Sequence, residues 1–413
     1  MKPDISSYYA SRKPSDNRIS QMEFAKRTDN VKAINVSVNV FLPMHPQMQK
    51  RMFELNNSES PFQNVVQYTQ TALQETQTTF KNILKSNFHT ENLKIQITDS
   101  LAMELVILGL ADMNDRPIIL IDPVYTNYLM FAKRSRKTIS IQRILDENFF
   151  SFPSEQEIEN TIIQTKATSI VIIPYDNPTQ LYTRQNLLMF AKLCVKHNLW
   201  LVSDEAYREL HYLGDQSISI RSITDSDVPI ERRISIESAS KVWNACGLRI
   251  ALVTDNSEFH EKSVAEQTAT LCANTIQYIF GAIAHETPNK LQERYSQQRK
   301  YYSMIKSVAD LFKKHLPIIV AEPDAAIYLV VDVRNIVKPN FDKDFALFCA
   351  KQKVEIGVFQ TLLVSPLPFY QISEKEKNPG YTQFRIAFVE SPETMEKVPN
   401  LFSELLKNYE SQR

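Results

Sequence analysis

From Lys94 to Val253 the chain repeats one pattern: a short run of β-branched and aliphatic residues, then a longer stretch with apolar residues at helical spacing. The runs predict strands at Lys94–Thr98, Pro117–Ile121, Thr138–Gln142, Ser169–Pro174, Leu199–Ser203, Ile234–Glu237 and Ile250–Val253. Between several of them the spacing predicts helices at Ser100–Met113, Thr126–Arg134, Ser154–Thr165 and Thr183–His197. A helix between two strands carries the chain back to the starting edge, so this alternation imposes a mostly parallel sheet covered on both faces. In open sheets of this kind ligands collect beyond the carboxyl ends of the strands. The residues just after each run are therefore the candidates for chemistry.

The 413 residues are too many for one ordinary core and suit two domains. Residues 1–44 are polar and rich in turn formers, like an arm. Residues 45–283 hold the alternating pattern, preceded by a polar helical segment at 60–88. Residues 284–413 change texture, with one long polar helix at Pro288–Phe312, an apolar strand at Ala326–Val331 and a last helix at Ser391–Asn408. They read as a second, α+β domain. No internal repeat or low-complexity segment interrupts the chain.

Lys plus Arg and Asp plus Glu both number 47, so the formal net charge is zero and no basic patch stands out. Neither nucleic acid nor a membrane is an expected partner. The amino-terminal stretch lacks the apolar core of a signal peptide, and no apolar run approaches the roughly 20 residues that span a bilayer. Cys194, Cys246, Cys272 and Cys349 stand far apart without CxxC spacing, and the histidines are scattered. Reduced thiols, a cytoplasmic location and no metal site are the expectation. The chain has only 6 glycines, where average usage gives roughly 29. Any phosphate site must then be built with very little Gly.

Six stretches gather polar groups where the pattern places ligands. In Ser238-Ala239-Ser240-Lys241-Val242-Trp243-Asn244-Ala245-Cys246-Gly247-Leu248-Arg249 a lysine follows a strand, where it is ordinarily solvated. Here two hydroxyls flank it and an arginine follows eight residues on, which suits a Schiff base to a phosphorylated group. Asp204 ends an apolar run, where a carboxylate either caps the next helix or meets a buried cation; Tyr207 follows. Asp176-Asn177-Pro178-Thr179 is by itself a turn. Asp122-Pro123-Val124-Tyr125-Thr126-Asn127-Tyr128 is either an exposed turn with a packing ring or a turn that offers that ring to a ligand. Thr98-Asp99-Ser100-Leu101 lies where a strand gives way to a helix, whose first amides can hold a phosphate. Phe384-Arg385-Ile386-Ala387-Phe388 sets an arginine in an apolar strand, as a snorkelling edge residue or as a fork for a carboxylate.

In their order along the chain the stretches resemble the signatures of the fold-type I, pyridoxal 5′-phosphate (PLP)-dependent aminotransferases of class I and II, over roughly residues 34–405. Similarity to SxSKxxxxxGxR implies that Lys241 is the Schiff-base lysine, with Ser238, Ser240 and Arg249 on the phosphate. Similarity to SDExY implies Asp204 on the pyridine nitrogen and Tyr207 on the phenolate oxygen. The NPTG-like segment implies Asn177 on that same oxygen, beside the substrate, and the DPxYxxY segment implies Tyr125 stacked on the ring. Ser100 and Leu101 would give phosphate contacts, Tyr68 would reach the neighbouring subunit's phosphate, and Arg385 would grip the substrate α-carboxylate. The departures are mostly missing glycines: Asp99, Gln180, Leu73, Ala251 and the pair Ala325-Ala326. Asp99 is expected to turn outward and cap the following helix.

The resemblance implies an α/β PLP-binding domain with a mainly parallel, seven-stranded sheet and a smaller α+β carboxyl-terminal domain, aspartate aminotransferase-like and homodimeric. It implies transfer of an amino group between an α-amino acid and a 2-keto acid, with Lys241 shuttling the proton. The same residues also suit a carbon–sulfur β-lyase or another elimination enzyme, or a PLP-binding regulator or scaffold with little catalysis. A dicarboxylate substrate would need a second cation near the site, which the sequence does not locate.

Overall fold

The first strand, β1 (Lys32–Asn35), stands apart, and the next seven build the main sheet. These are β2 (Lys94–Thr98), β3 (Ile118–Asp122), β4 (Thr138–Gln142), β5 (Ser169–Ile172), β6 (Trp200–Asp204), β7 (Arg233–Ser238) and β8 (Ala251–Asp255). This computed structural model describes residues 16–37, 41–54, 70–88, 94–98, 102–110, 116–135, 138–175, 178–212, 218–255, 257–269, 275–337, 342–367, 370–372, 374 and 377–412. Across the sheet the order is β2-β8-β7-β6-β5-β3-β4. Only β8 is antiparallel to its neighbours. The expected mainly parallel, seven-stranded sheet is what forms.

Both faces are covered, as the continuous apolar runs require. On one face Ile119, Ile170, Ile172 and Leu201 pack with Leu187, Phe190 and Leu193 of the helix Arg184–Lys196. On the other, Leu120, Val171, Val202 and Ile234 pack with Val106 and Tyr128. Helix starts follow their caps: Ser154 accepts from the Glu157 amide, and Thr183 and Asn186 form a reciprocal capping box. The strands β3 and β6 each extend one residue further than the apolar runs suggest, and so end on Asp122 and Asp204.

The carboxyl-terminal part adds β9 (Ile319–Ala321), β10 (Tyr328–Asp332), β11 (Val354–Ile356), β12 (Val358–Leu363), β13 (Ser365–Pro366) and β14 (Gln383–Ala387). An antiparallel sheet runs β13-β14-β10-β9, and a third sheet runs β1-β12-β11. Thus β1, from the polar amino-terminal segment, pairs parallel with Gln360–Leu363. The single helix expected at Pro288–Phe312 is two, Pro288–Tyr302 and Ile305–His315. At the break the Ser303 hydroxyl donates back to the Lys300 carbonyl at 3.0 Å, a bond that bends helices. Tyr301 and Tyr302 are tied there to the Glu390 carbonyl and to Asn244. Of the polar segment at 60–88, Gln70–Phe88 is helical and residues 60–69 lie outside the described residues. Among the described residues no helix is long and apolar enough to cross a membrane.

Beneath β6 and β7 lies a buried charge cluster. Arg208 meets Glu205 at 3.0 Å, Glu209 at 3.1 Å and Glu237 at 2.6 Å. Glu205 also accepts from Ser203 at 2.9 Å and from the Ile220 amide at 2.7 Å. A buried ion network adds little over apolar packing, but removing one partner strands the others without water. Arg208→Ala should therefore lower unfolding stability by about 3–5 kcal/mol, read as a drop in the urea midpoint. A loss under about 1 kcal/mol would mean that the cluster is wet or rearranges freely.

Candidate active site

The β7–β8 connection explains how the lysine segment reaches the right place. Because β8 is antiparallel to β7, with Ser238 opposite Ala251, the segment between them turns back at the carboxyl edge of the sheet instead of crossing a face. The Ser240 amide donates to Ser238 Oγ at 3.0 Å, and the Asn244 amide donates to the Lys241 carbonyl at 3.2 Å. A short 3-10 turn, Cys246–Leu248, ends at Arg249, whose φ is 54°. The exposed Arg249 guanidinium donates to the Cys246 carbonyl at 2.6 Å.

At this edge lies a cavity of about 620 Å³. The main sheet gives it Tyr125, Asp204, Tyr207, Ser238, Ser240, Lys241 and Arg249, and the antiparallel sheet gives it Tyr328 and Arg385. Eight sequence-predicted site residues are thus brought to one cavity. Ser100, Leu101, Asn177 and Tyr68 lie outside the described residues, as does Asp99. Another cavity, of about 460 Å³ between the helices Ala102–Leu110 and Ser257–Ala269, holds none of the candidates.

Asp204 is buried, and burial pushes its pKa up to about 6, against the pull of the Ala206 amide and the Tyr128 hydroxyl. Those bonds are 3.2 and 3.0 Å long. Tyr128 is fully buried and spends its hydroxyl on Asp204. Tyr125, three residues earlier, is half-buried and accepts from Asn127 at 3.1 Å. Tyr207 and Tyr328 share a 2.8 Å hydrogen bond, and the Arg385 guanidinium lies 4.1 Å from the centre of the Tyr328 ring. From the amino-terminal helix Asp16–Phe24, exposed Arg18 and half-buried Gln21 complete the lining.

Sequence reading missed Tyr128, Tyr328 and Arg18 as parts of this site. Tyr128 was legible as the second tyrosine of the quoted DPxYxxY segment. Tyr328 carries no signal, being one aromatic in an apolar strand, and Arg18 sits in a polar segment that resembles nothing specific. The donor set fits PLP on chemical grounds. Asp204 is a buried carboxylate awaiting a cation, the half-buried Lys241 amine can condense with a carbonyl, and Ser238, Ser240 and Arg249 suit a phosphate.

A sequence profile described as "Aminotransferase class I and II" matches residues 31–394. An aspartate aminotransferase of Thermotoga maritima is 26% identical over 231 residues, 55% of this chain and 58% of that protein. The rat kynurenine–oxoglutarate transaminase 3 is 23% identical over 328 residues, 72% of this chain and 67% of that protein. Among solved structures, N-succinyldiaminopimelate aminotransferase from Mycobacterium tuberculosis superposes with a TM-score of 0.80 at 16% identity, covering 97% of this chain and 100% of that one. A mutant Thermus thermophilus aspartate aminotransferase gives 0.78 at 17% identity, over 98% and 100%. At these identities the superpositions speak to the fold.

The buried Asp204 carboxyl makes a prediction for protein freed of cofactor. Its folded pKa of about 6 lies above the ordinary 3.8, so the folded state holds the proton longer than the unfolded chain. Stability should fall as pH rises from about 4 to about 6, by up to about 3 kcal/mol from this group. Asp204→Asn should remove that part of the fall and raise the melting temperature at pH 8. Parallel thermal melts across pH check this, and identical profiles for the two proteins would show a solvated carboxylate.

Proposed function

The chain belongs to the class I and II aminotransferases, and from that premise we propose that it moves an amino group between an α-amino acid and a 2-keto acid, with PLP carried on Lys241. The gathering of Lys241, Asp204 and Arg385 at one cavity carries this reading. Bound PLP supplies an electron sink for the bond broken at the substrate α-carbon. The protein's own residues do the rest. Asp204, oriented by Tyr128 and the Ala206 amide, holds a negative charge toward the ring nitrogen and keeps it protonated. Tyr125 offers a ring face, and Ser238, Ser240 and Arg249 hold the phosphate. Arg385 grips the substrate carboxylate with two parallel hydrogen bonds. With the cofactor bound, the Lys241 amine would be the group placed to move the substrate's α-proton, as general base and acid. Asn177, Ser100, Leu101 and Tyr68 keep the roles the family pattern gives them.

Arg18 supports acidic side chains as the preferred substrates. It stands exposed at the cavity and is the kind of second cation that a distal carboxylate needs. We further read the working form as a cytoplasmic homodimer. Exposed Met52, Phe53 and Ile276 stand on adjoining segments, a surface that a second copy would cover.

The direct test is attachment. Purified protein given PLP should absorb as a Schiff base, and borohydride reduction should tag Lys241; a tag on another lysine, or no retained cofactor, refutes the reading.

Two substitutions separate the binding roles. Arg385→Lys keeps the charge but loses the fork. It should lower kcat/KM for every α-amino acid by about a hundredfold, as for loss of about 3 kcal/mol at a charge-assisted pair. Arg18→Gln should raise KM about tenfold for aspartate and glutamate only, leaving alanine unchanged. Steady-state kinetics on a panel of donors checks both, and an equal loss on alanine would remove Arg18 from specificity.

A further inference from the structure

One ring in the cavity has no part in the function above. Tyr328 opens β10, is 3% exposed, and lines the same space as Lys241. Arg385 on β14 stands opposite Val330, two residues along β10. Side chains two apart on a strand share a face, which brings the Arg385 guanidinium over the Tyr328 ring, 4.1 Å from its centre. Arg385 is itself only 2% exposed, so the contact forms away from solvent, where a cation on an aromatic face gains most.

The ring is fixed at both ends. On the backbone side, the Ala326 amide donates to the Leu210 carbonyl and the Phe388 amide to the Ile327 carbonyl, both at 2.8 Å. At the far end the Tyr328 and Tyr207 hydroxyls lie 2.8 Å apart, and the two rings meet edge to face with centres 5.8 Å apart. An arginine side chain turns about several bonds and loses much rotamer freedom when it is held still. A carboxylate that binds a wandering guanidinium must supply that ordering, whereas one that binds a seated guanidinium does not. Stacking uses the flat face of the group, while its N–H donors point outward in its plane. A ring therefore holds the fork without taking the donors that a carboxylate uses.

We propose that Tyr328 is a positioning residue for substrate binding: its ring face seats the Arg385 guanidinium and sets the heading of the fork before the substrate α-carboxylate arrives. The inference rests on the reading of Arg385 as the carboxylate grip. Tyr328 touches no reacting atom and acts through Arg385. The face does the seating, and the hydroxyl helps to keep the ring in place. A phenyl ring at this position should keep most of the effect, and an aliphatic side chain should lose it.

The test uses cofactor-loaded wild type, Tyr328→Phe, Tyr328→Leu, Arg385→Gln and the double variant of Tyr328→Leu with Arg385→Gln. The first readout is calorimetric binding of succinate, which offers a carboxylate and no amino group. Tyr328→Leu should weaken it about tenfold and Tyr328→Phe by less than about threefold. In steady-state kinetics Tyr328→Leu should raise KM for alanine about tenfold with kcat within about twofold. Its half-reaction with an amine that lacks a carboxylate should keep the wild-type rate. In the Arg385→Gln background, loss of the ring should cost kcat/KM less than about twofold, because the cation that it seats is gone. Equal losses in the Phe and Leu variants, an equal loss on the carboxylate-free amine, or full additivity with Arg385→Gln would each overturn the proposal. A second measurement keeps the shape of the side chain. Phenylalanines carrying successively more ring fluorines at position 328 present a progressively less negative face, so succinate affinity should fall step by step along the series; a flat series would overturn the proposal. If Arg385→Gln binds succinate as wild type does, the reading of Arg385 fails and the proposal with it. If Arg385→Gln loses binding while Tyr328→Leu does not, the reading stands and the proposal alone fails.

Discussion

A carboxylate at the end of a central strand is the constraint around which this molecule is arranged. Asp204 closes β6 in the middle of a sheet that is covered on both faces, and it lines the cavity at the sheet's carboxyl edge. Among the described residues two donors meet it, the Ala206 amide and the Tyr128 hydroxyl, and both are neutral. They orient the charge without cancelling it, which is why burial still dominates its acidity. Tyr128 in turn depends on the β3 edge, since the turn that buries its ring also delivers Tyr125 to the cavity wall. The neighbouring Glu205 turns the other way, into the Arg208 cluster. One dipeptide thus splits its two carboxylates between a compensated site inside the protein and an uncompensated one facing the cavity. The uncompensated one is where a cationic group gains most by binding.

The scarcity of glycine shaped how the loops around this carboxylate are made. Besides Gly357, positive φ falls on Lys166, Thr179, Asn198, Asn244, Arg249 and Ala326, and for those other than Asn a left-handed backbone costs on the order of 1–2 kcal/mol each. Asn244 and Arg249 bracket the turn after Lys241, and Ala326 lies just before Tyr328. The surroundings hold each in place. Asn244 is gripped by the Tyr302 hydroxyl, and Arg249 donates to the carbonyl three residues back. Ala326 is wholly buried, donates its amide to Leu210 and accepts the Tyr212 hydroxyl. Gly247, by contrast, has open space where a side chain would stand. In this loop conformational strain is carried by residues whose side chains bind something, which a glycine could not do.

What was readable in advance follows from the same physics. A parallel strand buried on both faces must be apolar throughout, so the strand runs, their order of appearance and the carboxyl-edge location of Asp204, Tyr125 and Lys241 could be read from one sequence. The break at Ser303 could not, because it depends on Tyr301 and Tyr302 being anchored to partners some 60 to 90 residues away in sequence. The pairing of β1 with β12 was equally hidden, since Lys32–Asn35 is short, half polar and matched to a strand more than 300 residues on. For the site, spacing within one segment was visible and spacing between segments was not. Tyr128 lay within a motif already noticed; Tyr328 and Arg18 enter only when separate pieces of chain meet.

That meeting is where the two sheets act as one object. Bonds from Ala326 to Leu210 and from Tyr212 to Asp324, the bridge between His211 and Ala325, and the amides of Asp324 and Ala325 on the Thr179 carbonyl lace the start of β10 to segments of the main sheet. A shift of the antiparallel sheet would have to carry this seam with it or break several backbone bonds at once. Tyr328 sits at the seam and is therefore fixed relative to Tyr207, while Arg385 is held one strand further out, through β14 pairing with β10. The guanidinium thus lies 4.1 Å from the centre of a ring that the seam holds in place. A cation stacked on a fixed ring keeps its heading when empty, so little ordering entropy remains to be lost when an anion arrives. One ring thus meets the Arg385 guanidinium on its face and the Tyr207 hydroxyl at its oxygen.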